Sequence, residues 1–184
     1  MDKVKGSVII PFIKWIRKDK SGAYDKYLNN EDRKIISGRI LASSWYAYET
    51  FINFVNTVAK VEAKGNMETV RAWGREWVNK EYENIYKNTY VKTNPRRAIK
   101  NRQTMFNALY DFAIADLEEV SESEYVMTIK GPGPDFKPAF YAVIGSMERG
   151  LELSGAKGLK AEFIDKNWEG APNTRIRFSW ESWE

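Results

Sequence analysis

Chemistry in this chain has to proceed without imidazole or thiolate, because its 184 residues include no histidine and no cysteine. Those two groups carry most side-chain chemistry near neutral pH. Their absence removes the Ser-His-Asp triad, the Cys-His dyad, His-ligated haem, disulfides and ordinary zinc sites. Proton transfer would fall to Glu, Asp, Tyr or Lys. The carboxylate pairs Asp165/Glu169 and Glu148/Glu152 are candidates by spacing. Acid–base work needs one pKa raised by burial or a neighbouring charge, which spacing does not reveal. Glu148 and Glu152 share a helix face four residues apart and repel unless solvated. No catalytic residue, metal ligand or cofactor is assigned from these patterns.

Two constellations remain. The first is aromatic: Trp45, Tyr46, Tyr48, Phe51 and Phe54, with Trp73, Trp77, Phe106 and Tyr110 on helices that should pack nearby. Such a set can line a cavity for a planar or acyl ligand, with the Tyr46 and Tyr110 hydroxyls orienting it. It can equally fill a core, with Trp and Tyr bonded to backbone. The ligand-binding candidates are Trp45, Tyr46, Phe54, Trp73, Phe106 and Tyr110.

The second is basic: Lys92, Arg96, Arg97, Lys100 and Arg102, with no acidic residue from 91 to 110. Arg96 and Arg97 fall in the first turn of a predicted helix, where cations oppose the helix dipole. A bound anion would reverse that penalty, which makes Arg96, Arg97 and Lys100 anion-binding candidates. Pairing with the acidic run Asp116, Glu118, Glu119, Glu122 and Glu124 is the competing reading. The loop Gly131-Pro132-Gly133-Pro134-Asp135 and the segment Gly155-Ala156-Lys157-Gly158 match no phosphate-cradling pattern.

The elements that must position these residues follow from periodicity. Ile9, Ile10, Ile13 and Ile16 recur at helical spacing, with Pro11 expected in the first turn. A short helix is expected over Tyr24 to Leu28. Asn30 caps a helix through Ile35 and Ile36 that Gly38 ends. Ser43 and Ser44 are expected caps for a helix carrying Phe51, Phe54, Val55 and Val58. A helix runs from Met67 to Tyr86 with Val70, Trp73, Trp77 and Ile85 on one face. Gly74 sits in its middle, where close approach of another helix offsets the cost of about 1 kcal/mol. Asn94-Pro95 opens a helix to about Ala113. Near residue 115 the period changes to two. Leu117 to Val120 and Tyr125 to Ile129 form a hairpin, Phe140 to Leu151 a helix, and Leu159 to Phe163 and Ile176 to Trp180 two further strands. The fold class is therefore α+β: a helical N-terminal two-thirds, then a four-stranded antiparallel sheet with one inserted helix, strand-strand-helix-strand-strand. One domain spans 1–184, with a helical subregion 1–114 and a sheet-containing subregion 115–184.

Composition agrees with a globular chain, with 43% hydrophobic and 29% charged residues. The net charge of +4 is too small for a nucleic-acid-binding signature. No apolar run is long enough for a transmembrane segment, and no signal peptide is read at the N-terminus, so a cytoplasmic location is expected.

The opening Val4-Lys5-Gly6 before an apolar helix resembles the start of the haem nitric-oxide-binding and 4-vinyl reductase (V4R) superfamily. Ser43-Ser44-Trp45-Tyr46 with Glu49, Gly74-Arg75, Gly145-x-x-Glu148-x-Gly150 and the terminal Gly170 to Arg177-Phe178-Ser179-Trp180 resemble an uncharacterised bacterial family within it. The resemblance covers nearly the whole chain. Ala47 stands where that family often has Pro. Members of the superfamily bind small molecules or lipids, or act as sensory and scaffolding modules. The gas sensors hold haem through a proximal His, which this chain lacks. V4R domains often carry Cys near the terminal strands, where this chain reads Lys166 to Asn173 without one.

The resemblance implies a non-catalytic small-molecule-binding or sensory/regulatory domain. Its partner would be an unknown small hydrophobic or aromatic ligand in a pocket among the helices, with no haem, no other cofactor and no nucleic acid. The alternative is a protein–protein interaction or scaffold module, homodimeric, using Trp168, Trp183 and the basic patch.

Overall fold

The computed structural model describes residues 2–82 and 94–183. Ile85 and Tyr86 of the expected long helix, and Lys92 of the basic segment, lie outside the described residues. The elements are β1 (Lys3–Lys5), α1 (Gly6–Lys18), α2 (Asn30–Ser37), β2 (Trp45–Ala47), α3 (Tyr48–Val61), α4 (Met67–Glu81) and α5 (Pro95–Leu109). There follow β3 (Ile114–Ser121), β4 (Glu124–Lys130), α6 (Lys137–Leu153), β5 (Ala156–Lys157), β6 (Lys160–Asp165), β7 (Thr174–Ser179) and β8 (Ser182–Trp183). The α+β class and the strand-strand-helix-strand-strand order stand as read from the sequence.

The main sheet runs β3-β4-β7-β6, antiparallel throughout. Period-two patterning sets its register. Ala115 faces Ile129, Leu117 faces Met127, Tyr125 faces Phe178, and Met127 faces Ile176. These side chains form the inner face. The outer face carries ion pairs, Arg177 with Glu124 and Glu162, and Arg175 with Asp165. A one-residue slip would bury those charges, so the pattern fixes the pairing.

The core joins sheet and helices. Ile9, Phe12 and Ile13 of α1, Phe51, Phe54 and Val58 of α3, Ile99 and Phe106 of α5, and Phe140, Ile144 and Leu151 of α6 are all buried against it. Each buried Phe or Ile contributes about 2 kcal/mol. β1 is held on both sides: it pairs with β2, and Val4 bridges to Tyr110.

Helix boundaries depart from expectation in four places. Pro11 lies inside α1, which begins at Gly6, so Pro11 removes the donor that the Ser7 carbonyl would otherwise take. The cap of α2 is Asn29, not Asn30; the Asn29 Oδ1 accepts from the Asp32 N–H while Asp32 accepts from the Asn29 N–H. Ser43 and Ser44 precede β2, and α3 starts at Tyr48 without a side-chain cap. α5 ends at Leu109, because Tyr110 turns extended to meet Val4.

α4 packs along α6 at very short range. A methyl on Gly74 would stand 2.0 Å from the Ala142 carbonyl oxygen, and one on Gly145 would stand 1.9 Å from the Arg71 carbonyl oxygen. Glycine is required at both positions because backbone meets backbone there. This is the close approach expected from Gly74.

Candidate functional site

A cavity of about 240 Å³ opens between the helices. Ser7, Val8, Pro11 and Phe12 of α1, Phe51 of α3 and Trp77 and Val78 of α4 form one side. Arg102, Met105, Phe106 and Leu109 of α5, then Tyr110, form another, and Ala139, Ala142, Val143, Ser146 and Met147 of α6 close it. The wall is apolar because each helix turns its core stripe inward. It stays unfilled partly because α6 presents Ala139, Ala142 and Ser146 there, small residues in place of large ones.

Of the aromatic candidates, Phe106 and Tyr110 line this cavity, as do Phe51 and Trp77 of the wider group. The remaining four stand elsewhere. Phe54 is fully buried in the main core. Trp45 is exposed on β2, with the Lys5 Nζ 3.9 Å over its ring. The Tyr46 hydroxyl accepts from the Leu41 N–H at 2.9 Å, and its ring abuts Gly6. Trp73 is partly buried, packed against the core and against Trp15, ring centroids 5.5 Å apart.

The basic segment splits in two. Arg96 donates from Nη2 to the Glu119 Oε1 at 2.6 Å and from Nε to the Tyr125 hydroxyl at 3.3 Å. Lys100 donates to the other Glu119 oxygen at 3.1 Å. Bonds from Lys100, Tyr125 and Arg96 hold the Glu119 carboxyl below its usual range. The pairing reading of this segment therefore describes Arg96 and Lys100. The Arg97 side chain is exposed beside them, and its N–H is taken by the Asn94 cap. Arg102 turns the opposite way. It is 7% exposed and forms part of the cavity wall.

Arg102 is the wall residue that pattern reading grouped with the surface patch. It lies three residues after Ile99 and four before Phe106, inside the apolar stripe of α5. A cation in that register was the available signal.

The two glycines and the glutamate of Gly145-x-x-Glu148-x-Gly150 now have separate reasons. Gly145 admits the α4 backbone. Glu148 takes a two-bonded grip from Arg71. Gly150 makes room for Arg102: a methyl there would stand 2.7 Å from both Nε and Nη2 of its guanidinium.

Trp168, expected as an exposed contact residue, is instead partly buried. Phe140, Tyr141 and Phe163 pack around it within 5.9 Å, because the turn before β7 folds back over α6. Trp183 is 39% exposed on β8.

The chain has the fold of the H-NOX proteins. It is similar to an H-NOX protein from K. algicida in the Fe(II) unliganded state, with TM-score 0.63 and 13% identity over 97% of each chain. It is similar to one from S. oneidensis in the Fe(II)NO state, with TM-score 0.62 and 11% identity over 97% of this chain and 99% of that one. A mutant H-NOX from T. tengcongensis gives TM-score 0.57 and 13% identity over 97% and 98%. The chain belongs to the family described as protein of unknown function (DUF2378), which matches residues 42–181. No curated protein matches its sequence.

The H-NOX fold raises haem as a possible occupant, and the lining tests it. Haem iron is held by His, by Cys, by Tyr or by Met paired with His, so Met105 and Met147 of the wall would not hold it without a His. The chain supplies neither His nor Cys. Tyr110 is fully enclosed, and burial pushes its phenol well above the ordinary tyrosine range, which keeps it neutral rather than a phenolate ligand. The volume also falls below the 300–1,000 Å³ usual for drug-sized ligands. The residues present do not fit an axially held haem. Among the described residues no cluster of three or more acidic side chains could hold a metal ion. No helix of the described residues is long and apolar enough to cross a membrane.

Proposed function

We propose that this chain is a single-domain, non-catalytic small-molecule-binding or sensory domain. It holds a small hydrophobic or aromatic ligand, without haem, in the cavity between α1, α4, α5 and α6. The observation that carries this reading is the cavity itself: about 240 Å³, walled by Phe12, Phe51, Trp77, Phe106 and Tyr110. An apolar space of this size can take up a small apolar molecule. The shared H-NOX fold supports a sensory role, and the order of the motifs supports placement beside the V4R domains.

Native mass spectrometry of the purified protein against its denatured mass is the test. The expected result is an adduct that is lost on denaturation and reduced in Ala139→Leu, which fills the cavity. A bare native mass, together with no thermal shift from small aromatic or acyl compounds, would overturn the reading.

A second reading, an interaction module, is favoured by one feature. Trp15 is 38% exposed and packs on Trp73 at the surface. A dimer in the same native spectrum that Trp15→Ala dissociates would support it.

A further inference from the structure

The cavity wall holds one hydroxyl that the protein leaves unserved. Tyr110 lines the cavity and is 5% exposed. Phe51, Phe106, Phe112 and Phe136 surround its ring, with centroids 4.7 to 6.0 Å away, and none of them offers an oxygen or nitrogen. Among the described residues no hydrogen bond reaches the Tyr110 hydroxyl, and burial is the one influence on its phenol. That burial keeps the phenol neutral, so it stays a hydrogen-bond donor. Burying a hydroxyl without a partner is costly. The other polar groups of the wall are provided for: Ser7 and Trp77 are partly open to solvent, the Ser146 hydroxyl donates to the Val143 carbonyl at 2.8 Å, and Arg102 already interacts within the protein. A trapped water would need about two to four polar partners, which a phenylalanine surround does not supply. An acceptor for Tyr110 therefore has to arrive with the occupant of the cavity.

We infer that the cavity selects neutral carbonyl compounds, ketones or esters whose carbonyl oxygen accepts from the Tyr110 hydroxyl. The volume suits on the order of ten non-hydrogen atoms, the rest of the molecule being apolar like the wall. This rests on the pocket reading above and adds the ligand class. A carbonyl accepts and brings no donor of its own to be buried unpaired. A carboxylate would carry a charge into an apolar space, which costs far more. A hydrocarbon of the same shape would leave the hydroxyl unpaired, and sites built around one hydrogen bond discriminate against the analogue that lacks it.

The experiment titrates two ketones and their shape-matched alkenes, in which a methylene replaces the carbonyl oxygen: acetophenone with α-methylstyrene, and 2-octanone with 2-methyl-1-octene. Each is titrated into the parent protein and into Tyr110→Phe, which removes the hydroxyl and keeps the ring. The expected result is that at least one ketone binds Tyr110→Phe about tenfold more weakly while its alkene binds no worse. Without any ligand, Tyr110→Phe should melt no lower than the parent, because it loses only an unpaired hydroxyl. The infrared carbonyl stretch of bound acetophenone checks the bond in the unaltered protein and should lie below its value in hexane. A stretch equal to that in hexane overturns the inference, even if the variant fails to fold. Ketone binding unchanged in Tyr110→Phe, or ketone and alkene weakened alike, sinks the carbonyl inference and leaves the pocket standing. A fall of more than about 3 °C in the ligand-free melt would show that the hydroxyl already serves the fold, and overturns it too. No binding of any of the four compounds sinks both this inference and the pocket reading.

Discussion

Arg71 on α4 grips Glu148 on α6 through two parallel bonds, Nε to Oε2 at 2.9 Å and Nη2 to Oε1 at 2.5 Å. The same Nη2 donates to the Ala161 carbonyl on β6 at 2.7 Å. One side chain thus ties both helices to the sheet edge. Lysine keeps the charge but loses the fork. Arg71→Lys is expected to lose about 2 kcal/mol of stability, a fall of about 5 °C in Tm for a chain of this size. Urea denaturation checks it, and a loss under about 0.5 kcal/mol would count against the tie.

The glycine contact beside it makes a sharper statement. Gly74→Ala should gain about 1 kcal/mol from helix propensity alone. The Ala142 carbonyl 2.0 Å from the new methyl forbids that gain unless α4 moves away. A net loss of about 2 kcal/mol is expected for Gly74→Ala and again for Gly145→Ala. The double variant should lose less than the sum, because one separation of the helices relieves both clashes. Additive losses would mean the two contacts are independent.

Acid should weaken the same helix pair. Burial pushes the Glu152 carboxyl up, but Arg75 and Arg149 outweigh it and hold the group below its usual 4.5. A carboxyl lowered on folding stabilises fully above its unfolded pKa, and that contribution is lost as pH falls through the folded value. Stability should therefore be level near neutrality and decline below about pH 4.5. In Glu152→Gln the decline should be shallower. Thermal melts from pH 3 to 7 on both proteins decide it, and parallel curves would assign the acid sensitivity elsewhere.

The charge patch on α5 should be inert toward anions. Arg96 and Lys100 already share Glu119. Exposed pairs of this kind contribute about 0–1 kcal/mol. Arg96→Glu combined with Arg97→Glu is expected to leave inorganic phosphate and anionic vesicle binding unchanged, with little effect on Tm. Loss of measurable phosphate binding would restore the anion-site reading.

Strong periodicity made most of the fold legible. Alternation at Tyr125, Met127 and Ile129 specifies a strand, because one face must be buried and the other wet. The i, i+3, i+4, i+7 series Phe51, Phe54, Val55 and Val58 specifies α3 in the same way. β1 and β2 are three residues each and hold by pairing across distant sequence, which leaves no local period to read. The site was half legible for a related reason. Aromatic character marks Phe106 and Tyr110 as inward, yet it also marks Phe54, which fills core, and Trp73, which packs on the core beside Trp15 away from the cavity wall. Whether a large side chain fills a space or borders one depends on what stands opposite. Here that is set by Ala139, Ala142 and Ser146, small residues with no signal of their own. Arg102 was counted with the basic patch because charge, and not register, drew the eye to it.

The clamp on β1 bears on the order of folding. The Lys3 N–H donates to Asp111 across 108 positions of sequence, and this closure brings Tyr110 into the wall of the cavity. Contacts so distant are slow to form, since the loop must lose its entropy before the contact rewards it. Helices α1 and α3 lie much closer along the chain, with α2 and β2 between them, and dock early by comparison. The cavity is then among the last features to appear during refolding and among the first to vanish under denaturant, so a compound that occupies it should slow unfolding far more than it speeds folding.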